Sequence, residues 1–125
     1  MVTLTDTHRA VEYFEAKLEF TTGPAELNAM IEKGESINII DVRKEEDFRK
    51  GHIPGAINLP RDRWDSFEGL SRDRTNIVYC YHQQCHLSAK GCKYFAEQGY
   101  PVMELEGGFE AWKQNGLSVE GGASI

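Results

Sequence analysis

Several things are missing from this sequence, and each gap closes off a class of function. No apolar run approaches the roughly 18–20 residues that cross a bilayer. The opening stretch MVTLTDTHRAVEYF lacks the basic-then-apolar pattern of an export signal. No membrane partner is therefore expected, and a cytoplasmic location is. Positive charge is in deficit, with 14 Lys and Arg against 20 Asp and Glu for a formal charge of -6. That balance repels phosphate backbones and anionic lipid, so no nucleic acid partner is expected. With 4 prolines, 12 glycines and 40% apolar residues, collagen-like, coiled-coil and low-complexity readings also fall away. There are only 3 cysteines, an odd number without an export signal, which argues against a disulfide framework. All of them fall between positions 80 and 92, which directs attention to reactive or metal-binding thiols.

What is present fits one domain, since 125 residues fall within the usual range of about 100–150. Ala10, Val11, Phe14 and Leu18 recur at helical spacing after Asp6 and Thr7, so residues 6–20 read as an amphipathic helix. Thr21-Thr22-Gly23-Pro24 breaks that pattern, and Pro24 opens a second helix that runs through Leu27, Met30 and Ile31 to Gly34. The β-branched run from Ile37 to Val42 and the segment Asn76 to Cys80 read as strands covered on both faces. Shorter strands are expected at 56–59 and 102–105. Helices are expected at 44–50, from about Ser88 to Gln98, and from Phe109 to Gln114. Alternating short strands and helices specify an α/β domain with a largely parallel sheet.

In such sheets the reactive groups gather beyond the carboxyl ends of the strands. Cys80 ends a strand, and the polar stretch Tyr81, His82, Gln83, Gln84, Cys85, His86, Leu87, Ser88 links it to a helix. Backbone amides of that loop are expected to turn toward the sulfur and stabilise a thiolate. The helix field lowers a thiol pKa by roughly one unit, so amide hydrogen bonds must supply the rest.

Ile39-Ile40-Asp41-Val42-Arg43, followed by Gly51-His52-Ile53-Pro54-Gly55-Ala56-Ile57-Asn58-Leu59-Pro60, resembles the first signature of rhodanese domains. Leu105-Glu106-Gly107-Gly108-Phe109-Glu110-Ala111-Trp112 resembles their second signature. Ile77-Val78-Tyr79-Cys80 with its loop resembles the segment that carries the family's sulfur-accepting cysteine. The resemblance covers about 23–116 and leaves the first helix outside, which divides the chain into an extension, 1–22, and a rhodanese-like domain, 23–125. It implies a doubly wound five-stranded parallel sheet with helices on both faces. The chemistry it implies is sulfur transfer through a Cys80 persulfide, from a small sulfur donor to a thiol or protein acceptor, with no cofactor.

The segment from Cys80 to Gly99 is two residues longer than the usual single-domain pattern, and the loop lacks that pattern's glycine and arginine. The chain resembles a subgroup with a second loop cysteine, here Cys85. Asp41 and Arg43 are expected beside the loop, where a charge-assisted bond would hold its backbone. Cys92 reads as core and His52 as structural. Cys80, His82, Cys85 and His86 lack the paired spacing of common zinc sites, so no metal is assigned. A phosphatase or arsenate reductase would need an arginine to grip a tetrahedral dianion, and none follows Arg74. A non-catalytic binding or regulatory module stays open as the alternative to sulfur transfer. With no cation in the loop and a negative chain, thiosulfate is expected to be a poorer donor than less charged persulfides.

Overall fold

Two strands buried on both faces organise the molecule, which we describe from a computed structural model covering residues 3–122. The element order is α1 (Thr7–Phe20), β1 (Thr21–Thr22), α2 (Pro24–Glu32), β2 (Ile37–Asp41), α3 (Glu45–Lys50), β3 (Ile57–Asn58) and a 3-10 helix (Arg61–Ser66). There follow β4 (Thr75–Tyr79), α4 (Leu87–Glu97), β5 (Val102–Leu105) and α5 (Gly108–Gln114). The strands form one five-stranded sheet in the order β1-β5-β4-β2-β3, with every pairing parallel. This is the fold class expected from the sequence.

Side chains alternate across the sheet because a strand repeats every two residues. Ile39, Ile77 and Tyr79 pack on one face with Leu27 of α2 and Phe109 and Trp112 of α5. Ile40, Val42, Val78 and Cys80 pack on the other with Trp64 of the 3-10 helix and Phe95 of α4. Two local features escape the sequence pattern. Thr21 and Thr22, which read as a break, form the edge strand β1 beside Glu104 and Leu105. The polar stretch around Trp64 is a 3-10 helix, fixed by the Trp64 indole donating to the Leu59 carbonyl at 3.0 Å.

The helix ends follow local chemistry. Asp6 caps α1 by accepting from the amides of His8 and Arg9, and Pro24 occupies the first turn of α2. No side chain of α1 is buried, and Lys17 ties it to the domain through Glu106 at 3.0 Å. Among the described residues, no helix is long and apolar enough to cross a membrane.

Candidate active site

Strand β4 delivers Tyr79 and Cys80 to opposite faces of the sheet at its carboxyl end. The Tyr79 hydroxyl donates to Asp41 Oδ2 at 2.7 Å and accepts from the Ile53 amide at 3.1 Å. Asp41 is 0% exposed and Arg43 4% exposed. Arg43 Nη2 donates to Asp41 Oδ2 at 2.7 Å and to the Gly51 carbonyl at 2.6 Å. The pair lies beside the loop 81–88 as expected, the Arg43 guanidinium 5.7 Å from the Tyr81 ring, but its hydrogen bonds go to Asp41 and Gly51 instead of the loop backbone. Arg43 braces the turn at Gly51, and its guanidinium stacks 4.2 Å from the Phe109 ring. The loop backbone itself is held by α5. The Phe109 amide donates to the Cys80 carbonyl and the Glu110 amide to the Tyr81 carbonyl, each at 2.9 Å.

This docking explains the glycine pair. Gly108 sits at φ +60, and a Cβ there would lie 2.8 Å from the Cys80 carbonyl oxygen and 2.9 Å from the His82 amide nitrogen. Only glycine lets the two backbones approach so closely. Gln83 fastens the other side of the loop, its Oε1 accepting from the Gly107 amide at 2.6 Å. The Tyr81 hydroxyl donates to Asp47 Oδ2 at 2.6 Å and accepts from the Lys44 amide at 3.2 Å. His82, Gln83, Gln84 and His86 are exposed, Cys85 and Leu87 are half-buried, and Ser88 is buried.

Cys80 is 1% exposed, its sulfur beneath this loop. It lies 3.4 Å from the Cys85 carbonyl oxygen and 3.4 Å from Ser88 Oγ. Ser88 in turn donates to Glu104 Oε2 at 2.6 Å. Burial pushes the Cys80 thiol above its ordinary range, contact with Cys85 adds to the rise, and the Ser88 hydroxyl and amide work against it. The sequence-based expectation of a stabilised thiolate is thus reversed in this conformation. A carbonyl, rather than a ring of amides, faces the sulfur, and a carbonyl favours the protonated thiol. Burial together with the nearby Glu104 and Cys80 pushes Cys92 up to about 12, as suits a core thiol. His52 stacks on Phe48 and its Nδ1 lies 2.8 Å from the Phe48 carbonyl oxygen, a structural placement.

Beside the loop lies an open cleft of about 620 Å³ at the carboxyl ends of β2, β3 and β4. Val42, Pro60, Tyr81 and Leu87 form its apolar lining, and the cations Lys44, Arg61 and Arg63 stand in it beside the carboxylates Glu45 and Asp62. Sequence reasoning missed these cations, and it missed Glu104. The signal for Glu104 was a lone carboxylate within the otherwise apolar strand Val102–Leu105.

Residues 23–115 match the model of the rhodanese-like domain family. The chain belongs to that family. It is 38% identical over 84 residues to the thiosulfate sulfurtransferase GlpE of Shewanella oneidensis, covering 66% of this chain and 81% of that one. It is 35% identical over 102 residues to an HTH-type transcriptional regulator of Mycobacterium tuberculosis, covering 81% of this chain and 45% of the regulator. The chain thus spans less than half the length of that relative. A crystal structure of a Bacillus halodurans protein superposes with a TM-score of 0.84 at 35% identity, covering 93% of this chain and 87% of that one.

Proposed function

We propose that this rhodanese-like domain is a sulfurtransferase in which Cys80 carries the sulfur. The observation that supports the reading most is the placement of one free thiol, Cys80, where β4 ends and the loop into α4 begins. A relative with 38% identity named thiosulfate sulfurtransferase supports the same chemistry. In the first step the Cys80 sulfur attacks the outer sulfur of a donor R–S–SH or of thiosulfate. The Cys80–S–S bond forms, the donor's S–S bond breaks, and a thiol or sulfite departs. In the second step a thiol acceptor attacks the outer sulfur, takes it as a persulfide, and returns the Cys80 thiolate.

Because Cys80 rests as a thiol, its proton must leave during the first step. Ser88 and Glu104 offer a route: the Cys80 proton passes to Ser88 Oγ as the Ser88 hydroxyl proton passes to Glu104. The buried sulfur also requires the loop around Cys85 to open before a donor can reach it. The cleft with Lys44, Arg61 and Arg63 is the donor's approach. The test is sulfur transfer from a small persulfide to a thiol acceptor. Cys80→Ser should abolish transfer while the circular dichroism spectrum and melting temperature stay near wild type, since Ser is close to isosteric and a far weaker nucleophile at neutral pH. Transfer at the wild-type rate by Cys80→Ser would refute the assignment.

The similarity to a transcriptional regulator favours one second reading, a sensing module that takes up sulfur without passing it on. Such a module would load one sulfur on Cys80 and show no repeated turnover with any thiol acceptor.

A further inference from the structure

We infer that Cys85 is a resolving thiol, which attacks a loaded Cys80, expels its outer sulfur as hydrogen sulfide and leaves a Cys80–Cys85 disulfide. The inference rests on the Cys80 persulfide proposed above and adds a second fate for the sulfur. Of residues 82–86, four are exposed and Cys85 alone is half-buried. It packs against the same apolar cluster that contains Cys80. A turn closed by the Cys85 amide donating to the His82 carbonyl at 3.0 Å folds the loop back on itself. That fold brings the backbone of Cys85 to 3.4 Å from the Cys80 sulfur. The side chain of Cys85 is near enough to raise the proton affinity of Cys80 directly. A bridge needs Cα atoms within about 7 Å, a separation that a tight five-residue return can reach.

The chemistry balances without an outside oxidant, because the sulfane sulfur is itself the oxidant. The Cys80 persulfide and the Cys85 thiol give the Cys80–Cys85 disulfide and hydrogen sulfide. One S–S bond breaks, one forms, and the Cys85 proton leaves with the sulfide. Attack on the inner sulfur is favoured over transfer to Cys85, since hydrosulfide is a weaker base than a cysteine thiolate and leaves faster. The Cys80 sulfur that the Cys85 backbone approaches to 3.4 Å is the one that becomes the inner sulfur of a persulfide. Cys92, half-buried against the same cluster, is the poorer nucleophile, since burial pushes its thiol up to about 12. An external dithiol would then reduce the bridge and restore the enzyme. Across a cycle, a sulfane donor and two external thiol groups become sulfide, a disulfide and the spent donor.

The experiment treats the full chain, reduced and freed of small thiols, with excess thiosulfate and no added reductant. Wild type should release one sulfide per chain, lose two thiols and yield a linked Cys80–Cys85 peptide. Cys85→Ser should release none and retain one extra sulfur on Cys80, while Cys92→Ala should behave as wild type. Wild type that keeps the extra sulfur on Cys80 with Cys85 as a free thiol would overturn the resolving role and leave the sulfur-carrier reading intact. No extra sulfur on Cys85→Ser with thiosulfate or with a small persulfide as donor would overturn both.

Discussion

Cys80 sits in surroundings that hold it protonated at rest, with burial, a facing carbonyl and a neighbouring thiol all opposing the anion. The midpoint of its alkylation by iodoacetamide should therefore lie above about pH 8.5, the midpoint of an ordinary thiol. The sign follows from the raised pKa: the thiolate fraction at neutral pH is smaller than that of a free cysteine. A plateau below pH 8 would show a stabilised thiolate instead. Glu104 is the partner that makes this compatible with catalysis. Glu104→Gln should slow persulfide formation by about 100-fold at neutral pH, the lower end of general-base contributions, with the pH profile moved upward. Glu104→Asp should recover part of the loss, a response that a purely structural role would not give. Cys80 and Ser88 were legible in the sequence because a buried strand, a polar loop and a helix follow one another there. Glu104 was not, because it meets Ser88 only after β5 pairs with β4, 16 residues further along the chain.

The site depends on how α5 meets the loop after β4. Its first amides hold the carbonyls of Cys80 and Tyr81, and Gly108 permits the approach. Gly108→Ala would push a methyl into the backbone at Cys80 and force φ +60 on a residue with a Cβ. That substitution should lower stability by about 1–3 kcal/mol in chemical denaturation. It should also reduce sulfur transfer more than Ala substitution at Gly116, where φ is +70 and a Cβ meets nothing within 4 Å. Equal effects at the two glycines would mean that backbone strain alone, and not the contact with the loop, matters. The glycine pair was legible as a turn, and its docking partner was not, because the contact joins segments more than twenty residues apart. The same holds for Arg43. Its place after a buried strand was readable, while its actual targets, Gly51 and Phe109, were set by tertiary packing. Two-residue β1 carries too little pattern to be read at all.

Over the whole molecule, the negative charge and the cleft, with three cations against two carboxylates, act on an anionic donor in opposite directions. The formal charge of -6 repels thiosulfate at long range, and Lys44, Arg61 and Arg63 attract it near the loop. Screening weakens long-range repulsion first, since the Debye length is about 10 Å at 0.1 M salt. The KM for thiosulfate should therefore fall as ionic strength rises from about 0.01 to 0.1 M, and that of an uncharged persulfide donor should stay flat. A thiosulfate KM that rises with salt would mean that the cleft outweighs the net charge. The sequence already showed the charge balance, and the fold was needed to bring the three cations to one place. Acceptance of sulfane sulfur by Cys80 is the central claim, and a quenched time course of intact mass with peptide mapping measures it directly. With a small persulfide as donor, Cys85→Ser, which cannot form the Cys80–Cys85 bridge, should gain one sulfur on Cys80 within the first turnover and lose it on adding a thiol reductant, and Cys80→Ser should gain none. No gain on Cys85→Ser, or an equal gain on Cys80→Ser, would contradict the claim.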